Sequence, residues 1–541
     1  MLCGLISGCG NTGAVENSPV QEAESTGTEA EAQTENEAKN ETGAGTGTES
    51  VQRDVINVGI DADLGDLSPW GALNTGRTAT AQNLYQPLAH VNDDGEIVGV
   101  LIKDYELAED ESYMDCHLYD YIYDSDGNHL TASDVVFSFD TCRELGNVGG
   151  IGFVKSSEVV DDYTVRFNFS DQLYVYDIET LFEELPIVTQ AAYEGSPDGM
   201  SSMPVSTSPY KVTEYTAGYI LTLEKRDDYW QTDESLIHER DQANVDKINF
   251  YILTESTQMS LALENGSIDM SWSVSTDDLE RFEQSDDFWL FDSPDDLCIE
   301  LFQNFAEGHP TTDVNLRKAI YYAVNSEAIL QSVYKGKAIL NYDTAASKAP
   351  DFQDAWATAD NYYQYDLEKA KEYLEAWGGD PSSLNLQILA SNDEANSNIA
   401  QLIQGFLGQI GISSEIRIAD SANFNTIAYD SDQWDVLVTN KATSNYCVTN
   451  WKNCFSKDYF TWGGTINFAY DDELQKLVNT ARTESTHNEE TVSAVHEYII
   501  DNAYGYGVVN LVNHYVIPSC INNVVCSYKG AVMPGACTYT E

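Results

Sequence analysis

Asp124-Ser125-Asp126-Gly127-Asn128-His129-Leu130-Thr131-Ala132-Ser133-Asp134-Val135-Val136-Phe137-Ser138-Phe139-Asp140 decides how the rest of this chain reads. Thr131 stands at a helix N-cap, and Asp134 three residues on can reach back to the cap's own N–H as in a capping box. Leu130 and Val135 occupy the hydrophobic-staple positions, so a helix begins here. Asp126-Gly127-Asn128 is a turn signal, and Val135, Val136 and Phe139 give the helix one apolar face. Local physics stops there, at a capped amphipathic helix after a turn.

The spelling of the stretch goes further. Gly127-x-x-Leu130-Thr131-Ala132-x-Asp134-Val135-Val136-Phe137-Ser138 resembles the segment that marks the extracytoplasmic solute-binding proteins of ABC importers for oligopeptides, dipeptides and nickel. Asn83-Leu84-Tyr85-Gln86-Pro87-Leu88 and Asp104-Tyr105-Glu106-Leu107 upstream resemble the same family, as do Val159 to Phe167 and Pro204 to Val212 downstream. In Pro204 to Val212, Ser206 and Ser208 replace the family's glycines, so a different backbone geometry is expected there. Leu301-Phe302-Gln303-Asn304, the helix Asp313 to Asn325 and the helix Tyr365 to Ala376 continue the likeness in order.

The resemblance implies an α/β fold of two lobes, the periplasmic-binding-protein fold of type II, cluster C, with an extra small α/β subdomain on the first lobe. The chain then divides into a truncated leader and disordered acidic tether (1–53), first lobe (54–88), subdomain (89–203), first lobe again (204–297), second lobe (298–504) and a C-terminal return (505–541). Two chain crossings, near 297–304 and 504–510, are expected to form a hinge.

Several ligand-binding candidates carry over. The family's cleft loop after Pro69 maps onto Trp70, Leu73, Asn74 and Thr75, with Trp70 equally readable as packing. Asn304, the segment Ser444-Asn445-Tyr446 and Asn510 on the returning strand complete the set, and Trp451 and Trp462 are further aromatic candidates. In the family's peptide-binding branch an Asp in the segment after the strand Trp434 to Val438 pairs with the peptide's amino end. Here Thr443 to Val448 has no Asp and no Pro. A buried cation without its counter-charge costs on the order of several kcal/mol, so a free amino terminus is not expected to be read that way.

Composition sets the outer limits. At 541 residues the chain exceeds one ordinary core, and it contains no apolar run of the roughly 18 residues a membrane span needs. The formal net charge is -62, of which the nine Glu and two basic residues of 1–53 supply -7. Nucleic-acid binding needs a basic patch and is excluded. An acidic field steers cations inward, though it serves equally as a solvated surface.

Leu5-Ile6-Ser7-Gly8-Cys9 resembles the end of a lipoprotein signal, with Cys9 the lipidation site, but the few residues before it make the leader read as truncated. Residues 10–53, almost devoid of apolar side chains, read as a tether to the membrane surface. Of ten cysteines, eight lie beyond the leader; Cys447 with Cys454, Cys520 with Cys526, and Cys298 with Cys447 are candidate pairs. No C-x2-C or H-E-x-x-H spacing supports a metal centre, and no cofactor is expected.

Three functions compete. The first is an oligopeptide-binding lipoprotein that acts as a monomer and delivers its solute to an ABC permease and its ATPase. The second is the same scaffold holding an oligosaccharide or a cationic metabolite. The third, an extracellular enzyme or adhesive protein, finds no G-x-S-x-G, H-E-x-x-H or Gly-rich phosphate loop to support it.

Overall fold

The computed structural model describes residues 54–71, 82–92, 96–146, 149–170, 172–271, 274–342, 344, 349–357, 362–442, 446–456, 468, 470–527 and 531–539. Cys9, the tether 10–53, Leu73, Asn74, Thr75, Ser444, Asn445 and Trp462 lie outside the described residues.

The fold is two-lobed α/β, and its backbone is a mixed sheet of eleven strands among the described residues. One half is built on Val55–Ile60, which pairs in parallel with Lys247–Ile252 and with Met270–Ser271. The other half is built on Asn385–Ser391, parallel to Ser413–Ala419 and Val436–Ala442. These are the short, alternately or fully apolar runs that a sheet covered by helices requires. The helix Glu394–Gln409 makes the crossover between Asn385–Ser391 and Ser413–Ala419, as its sequence period predicts.

Two strands join the halves. Phe288–Gln303 has 16 residues and Tyr506–Pro518 has 13, and they pair antiparallel along most of their length. At about 3.4 Å per residue, such strands are long enough to serve both halves. One end of this ribbon meets Met270–Ser271; the other meets Val436–Ala442.

A separate four-stranded antiparallel sheet, ordered Ile102–Leu107, Tyr113–Leu118, Thr164–Phe169, Val154–Asp161, carries the helix read first from sequence. That helix is Ala132–Glu144, and the capping box is present: the Thr131 N–H donates to Asp134 Oδ2 at 2.8 Å. Its Val135, Phe139 and Cys142 are buried, with the Phe139 ring 4.6 Å from Phe167.

Several expectations change. The alternation of Tyr119, Tyr121 and Tyr123 in the sequence fits a half-buried strand, but the strand ends at Leu118. Alternation survives, since Ile122 and Asp124 are buried while Tyr121 and Tyr123 are exposed; the chain instead folds back through Gly127 so that Tyr123 bridges His129. Ser206 and Ser208 are absent from the residues with positive φ, so replacing glycine there demands no strained backbone. Among the described residues the eight cysteines form no disulfide. Cys447 and Cys454 sit two turns apart on one helix, about 10 Å along its axis, beyond disulfide reach. Arg317 is buried against carbonyls of Thr311, Thr312 and Asn502, the last following the helix Glu489–Asp501, where a cation complements the helix dipole.

Candidate ligand cleft

The two halves meet first along the ribbon. Ladder pairing is regular from Phe288↔Pro518 to Pro294↔Val512, slips before Cys298↔Asn510, and slips again between Ile299 and Glu300. A bulge leaves residues unpaired and lets strands bend, so this is where the sheet can flex. Its centre, 294–298 against 510–512, lies a little before the crossing expected at 297–304.

They meet a second time through a short segment of the first half. Leu173 is buried in that half's core, while Val175, 5% exposed, packs into an apolar cluster otherwise drawn from residues 302–504. Between them Tyr174 bridges Thr483 in antiparallel fashion. The Val175 N–H donates to the Arg482 carbonyl at 2.9 Å, and the Glu484 N–H to the Leu173 carbonyl at 3.4 Å. Gln172 Nε2 donates to Thr483 Oγ1 at 2.8 Å, and the Arg482 guanidinium lies 3.7 Å from the centre of the Tyr174 ring.

The chain then enters the helix Asp177–Glu183 through Tyr176, whose φ of 77° is left-handed. For a residue with a Cβ that conformation costs about 1–2 kcal/mol, a strain that persists only where surroundings impose it. Glu179 on this helix accepts the Tyr446 hydroxyl at 2.9 Å, and the Tyr446 ring stands 6.3 Å from Tyr176 and 5.6 Å from His487. Burial and then the carboxylates of Glu179, Asp351 and Glu484 push the Tyr446 hydroxyl well above its ordinary range, so it stays a donor.

The last residue of the same helix roots it in the first half. Glu183 binds Arg240 and accepts the Val91 N–H at 3.1 Å, and Arg240 also donates to the Val91 carbonyl at 2.8 Å. His90 lies 3.4 Å from Glu183 and 3.1 Å from Asp241. Burial opposes a charge on His90, but Asp241 and Glu183 prevail and lift it to about 9, whereas burial and the neighbouring His90 and Arg240 lower His238 to about 4. An ionic cluster of this kind, buried around Glu183, fixes the helix in one place.

The sequence-derived candidates separate. Tyr446 is at the second boundary. Asn510 is 6% exposed on the ribbon beside the bulge, its side-chain oxygen accepting from Asn341 at 3.0 Å. Trp70 and Asn304 are engaged by the chain itself. Trp70 is 1% exposed, donates to the Pro186 carbonyl at 3.2 Å and packs 5.0 Å from Tyr193. Asn304 is fully buried, with its amide nitrogen donating to the Ser431 and Trp434 carbonyls at 2.8 Å each and its oxygen accepting the Ala306 N–H. Trp451 is likewise core, packed on Trp356.

One residue was missed. Asp351 places its carboxylate on the Cys447 and Val448 N–H groups at 2.7 and 3.2 Å, at the start of the helix Cys447–Phe455. Burial raises its pKa, with those two hydrogen bonds pulling the other way. A carboxylate thus meets Cys447 and Val448 through space from 96 and 97 residues away. Nothing in the local sequence around Asp351 signals it.

Two lobes that share a paired-strand ribbon and touch again at a second boundary define a two-lobed periplasmic binding protein. The chain belongs to the bacterial extracellular solute-binding proteins, family 5, whose model matches residues 96–450. It is 27% identical over 395 residues to an ABC transporter peptide-binding protein of Brucella ovis, covering 69% of this chain and 70% of that one. Among solved structures it resembles the ABC transporter substrate-binding protein CtaP of Listeria monocytogenes, with a TM-score of 0.77, 20% identity and coverage of 91% and 100%. It also resembles the oligopeptide-binding protein AppA of Bacillus subtilis in complex with a nonapeptide, with a TM-score of 0.70, 16% identity and coverage of 91% and 99%. The chain is a transport solute-binding protein of the extracytoplasmic space, and among the described residues no helix is long and apolar enough to cross a membrane.

Proposed function

We propose that the protein captures oligopeptides between its lobes and delivers them to an ABC permease and its ATPase. It works as a monomer, held to the outer face of the membrane by a lipid on Cys9 and the tether 10–53. The lobes are residues 54–297 with 505–541, carrying 89–203 as the subdomain, and residues 298–504. The Brucella ovis relative named as a peptide-binding protein, matched over 395 residues, carries the reading. Capture works by population shift: a solute that contacts both lobes favours the closed arrangement by its differential affinity for it. No step of bond making or breaking is involved.

Asp351 bears on which end of a peptide is read. As a carboxylate at the start of the helix Cys447–Phe455, beside Tyr446, it is placed to meet a ligand's amino group where the local sequence has no acid. Mixed peptides of two to ten residues should raise the melting temperature by mass action, and oligosaccharides should not. A peptide library that never stabilises the protein would sink the proposal. A cationic metabolite is the second reading, favoured by the carboxylates of Glu179, Asp351 and Glu484 around Tyr446 and by the net charge of -62.

A further inference from the structure

We propose that Gln172–Glu179, Arg482–His487 and Tyr446 form a latch that holds the two lobes together without help from a solute and grips more tightly in acid. This rests on the two-lobed clamp and not on which solute the clamp takes. Three kinds of contact coincide at the latch. Two backbone hydrogen bonds, from Val175 to Arg482 and from Glu484 to Leu173, join the lobes as a minimal antiparallel bridge. Two side-chain hydrogen bonds, Gln172 to Thr483 and Tyr446 to Glu179, and the Arg482 stack on Tyr174 flank that bridge. Val175 adds an apolar plug in the core of the other lobe.

None of these contacts needs a third molecule, because every group named is satisfied by the chain itself. The first-lobe side of the latch is also rigid at its root, since Glu183 at the end of the same helix is fixed by Arg240 and His90. A rigid root with few, polar contacts at the tip is the arrangement of a catch that opens as a unit.

Asp177 gives the catch its acid sensitivity. Its carboxylate turns back to accept the Tyr174 N–H at 2.8 Å, inside the latch. It faces Arg482 and Glu484 on the partner segment and Lys452 on the helix Cys447–Phe455. Burial, only partly offset by Tyr174, Arg482 and Lys452, pushes it up to about 6. We take opening to return the group to water and to the ordinary carboxylate value of 3.8. The raised value belongs to the closed form, so its contribution to closure is complete below about 3.8 and is lost as pH rises through about 6. A displacement of about two pK units corresponds to at most roughly a hundredfold change in the closing equilibrium.

The test is hydrogen exchange on full-length protein stripped of solute, read as protection factors at pH 5 and pH 8. The Val175 and Glu484 amides should be protected, more so at pH 5, while the ribbon amides stay constant. Tyr446→Phe combined with Arg482→Ala should cut protection of those two amides by roughly tenfold, the worth of one hydrogen bond and one stacked cation, without touching the ribbon. Asp177→Asn, which mimics the protonated acid, should hold the pH 5 protection at pH 8. Exchange of Val175 and Glu484 at the rate of exposed loop amides in the parent protein would overturn the latch. An Asp177→Asn protein that keeps the parent's pH dependence would overturn its acid control. Because no solute is present, failure of peptide binding leaves either result intact.

Discussion

Two of the places where the lobes join are built by different means; ion pairs from Lys335 to Asp277 and from Lys337 to Glu283 join them at a third. The ribbon is a long ladder of paired backbone in which Ile299, Leu301, Tyr506, Val508 and Val509 are all at most 1% exposed. The second boundary has two backbone bonds, two side-chain bonds and one apolar plug. At about 1 kcal/mol net per hydrogen bond, the second boundary supplies only a few kcal/mol. That is well below the roughly 8 kcal/mol of a micromolar ligand. The comparison teaches that one joint must survive every cycle of capture and release, while the other can be weak enough for a solute to decide the outcome.

The comparison breaks most visibly at the root of the second boundary. Arg240→Ala leaves Glu183 buried without its guanidinium, and loss of one partner of a buried pair costs about 3–5 kcal/mol. Urea denaturation should show that loss; a cost under about 1 kcal/mol would mean the cluster does not anchor the helix Asp177–Glu183. The same cluster predicts an alkaline weakness. His90 is raised to about 9 in the folded protein from 6.5, so its contribution is fully present below 6.5 and lost as pH rises through about 9. The melting temperature should therefore fall between pH 7 and 10, and fall less in His90→Gln.

Next in size is the ribbon itself. Leu301→Ala should cost about 2–5 kcal/mol of global stability through the cavity it leaves in the second-lobe core. Protection of the Val175 amide relative to the global value should stay unchanged. If the two joints weaken together, they are one cooperative unit and the contrast drawn here fails. Asp351→Ala comes third: losing the acceptor at a helix start costs about 0.5–2 kcal/mol. Peptides with a free amino end should lose affinity more than their N-acetylated forms, measured by calorimetry; equal losses would confine Asp351 to capping.

What could be read from the sequence follows the same divide. The capping box at Thr131 and Asp134 and the alternating strands rest on spacing within a few residues, so their chemistry is visible locally. The crossings near 297–304 and 504–510 are implied by the family resemblance, and the two long strands of the ribbon lie along them, a length that no local periodicity signals. The second boundary was not legible. Tyr174 meets Thr483 and Asp351 meets Cys447 across 309 and 96 residues, and single polar side chains carry no periodic signal. Asn304 and Trp70 show the converse: a polar or aromatic residue in a family motif reads as a ligand contact from sequence, while the partners the structure gives it are backbone carbonyls.

The smallest expected effect isolates the difference most cleanly. Tyr446→Phe removes one hydroxyl that donates to Glu179 and leaves the ring contacts with Tyr176 and His487 in place. Its cost should be about 1 kcal/mol, a factor of roughly five in the closing equilibrium. Denaturation barely registers such a change, because the ribbon and the cores dominate global unfolding. Closure registers it in full, since the bond exists only when the lobes meet. Solute release measured by stopped flow should accelerate by about that factor, with the association rate nearly unchanged. An equal shift in both rates would place Tyr446 on the path of solute entry and return it to the ligand contacts.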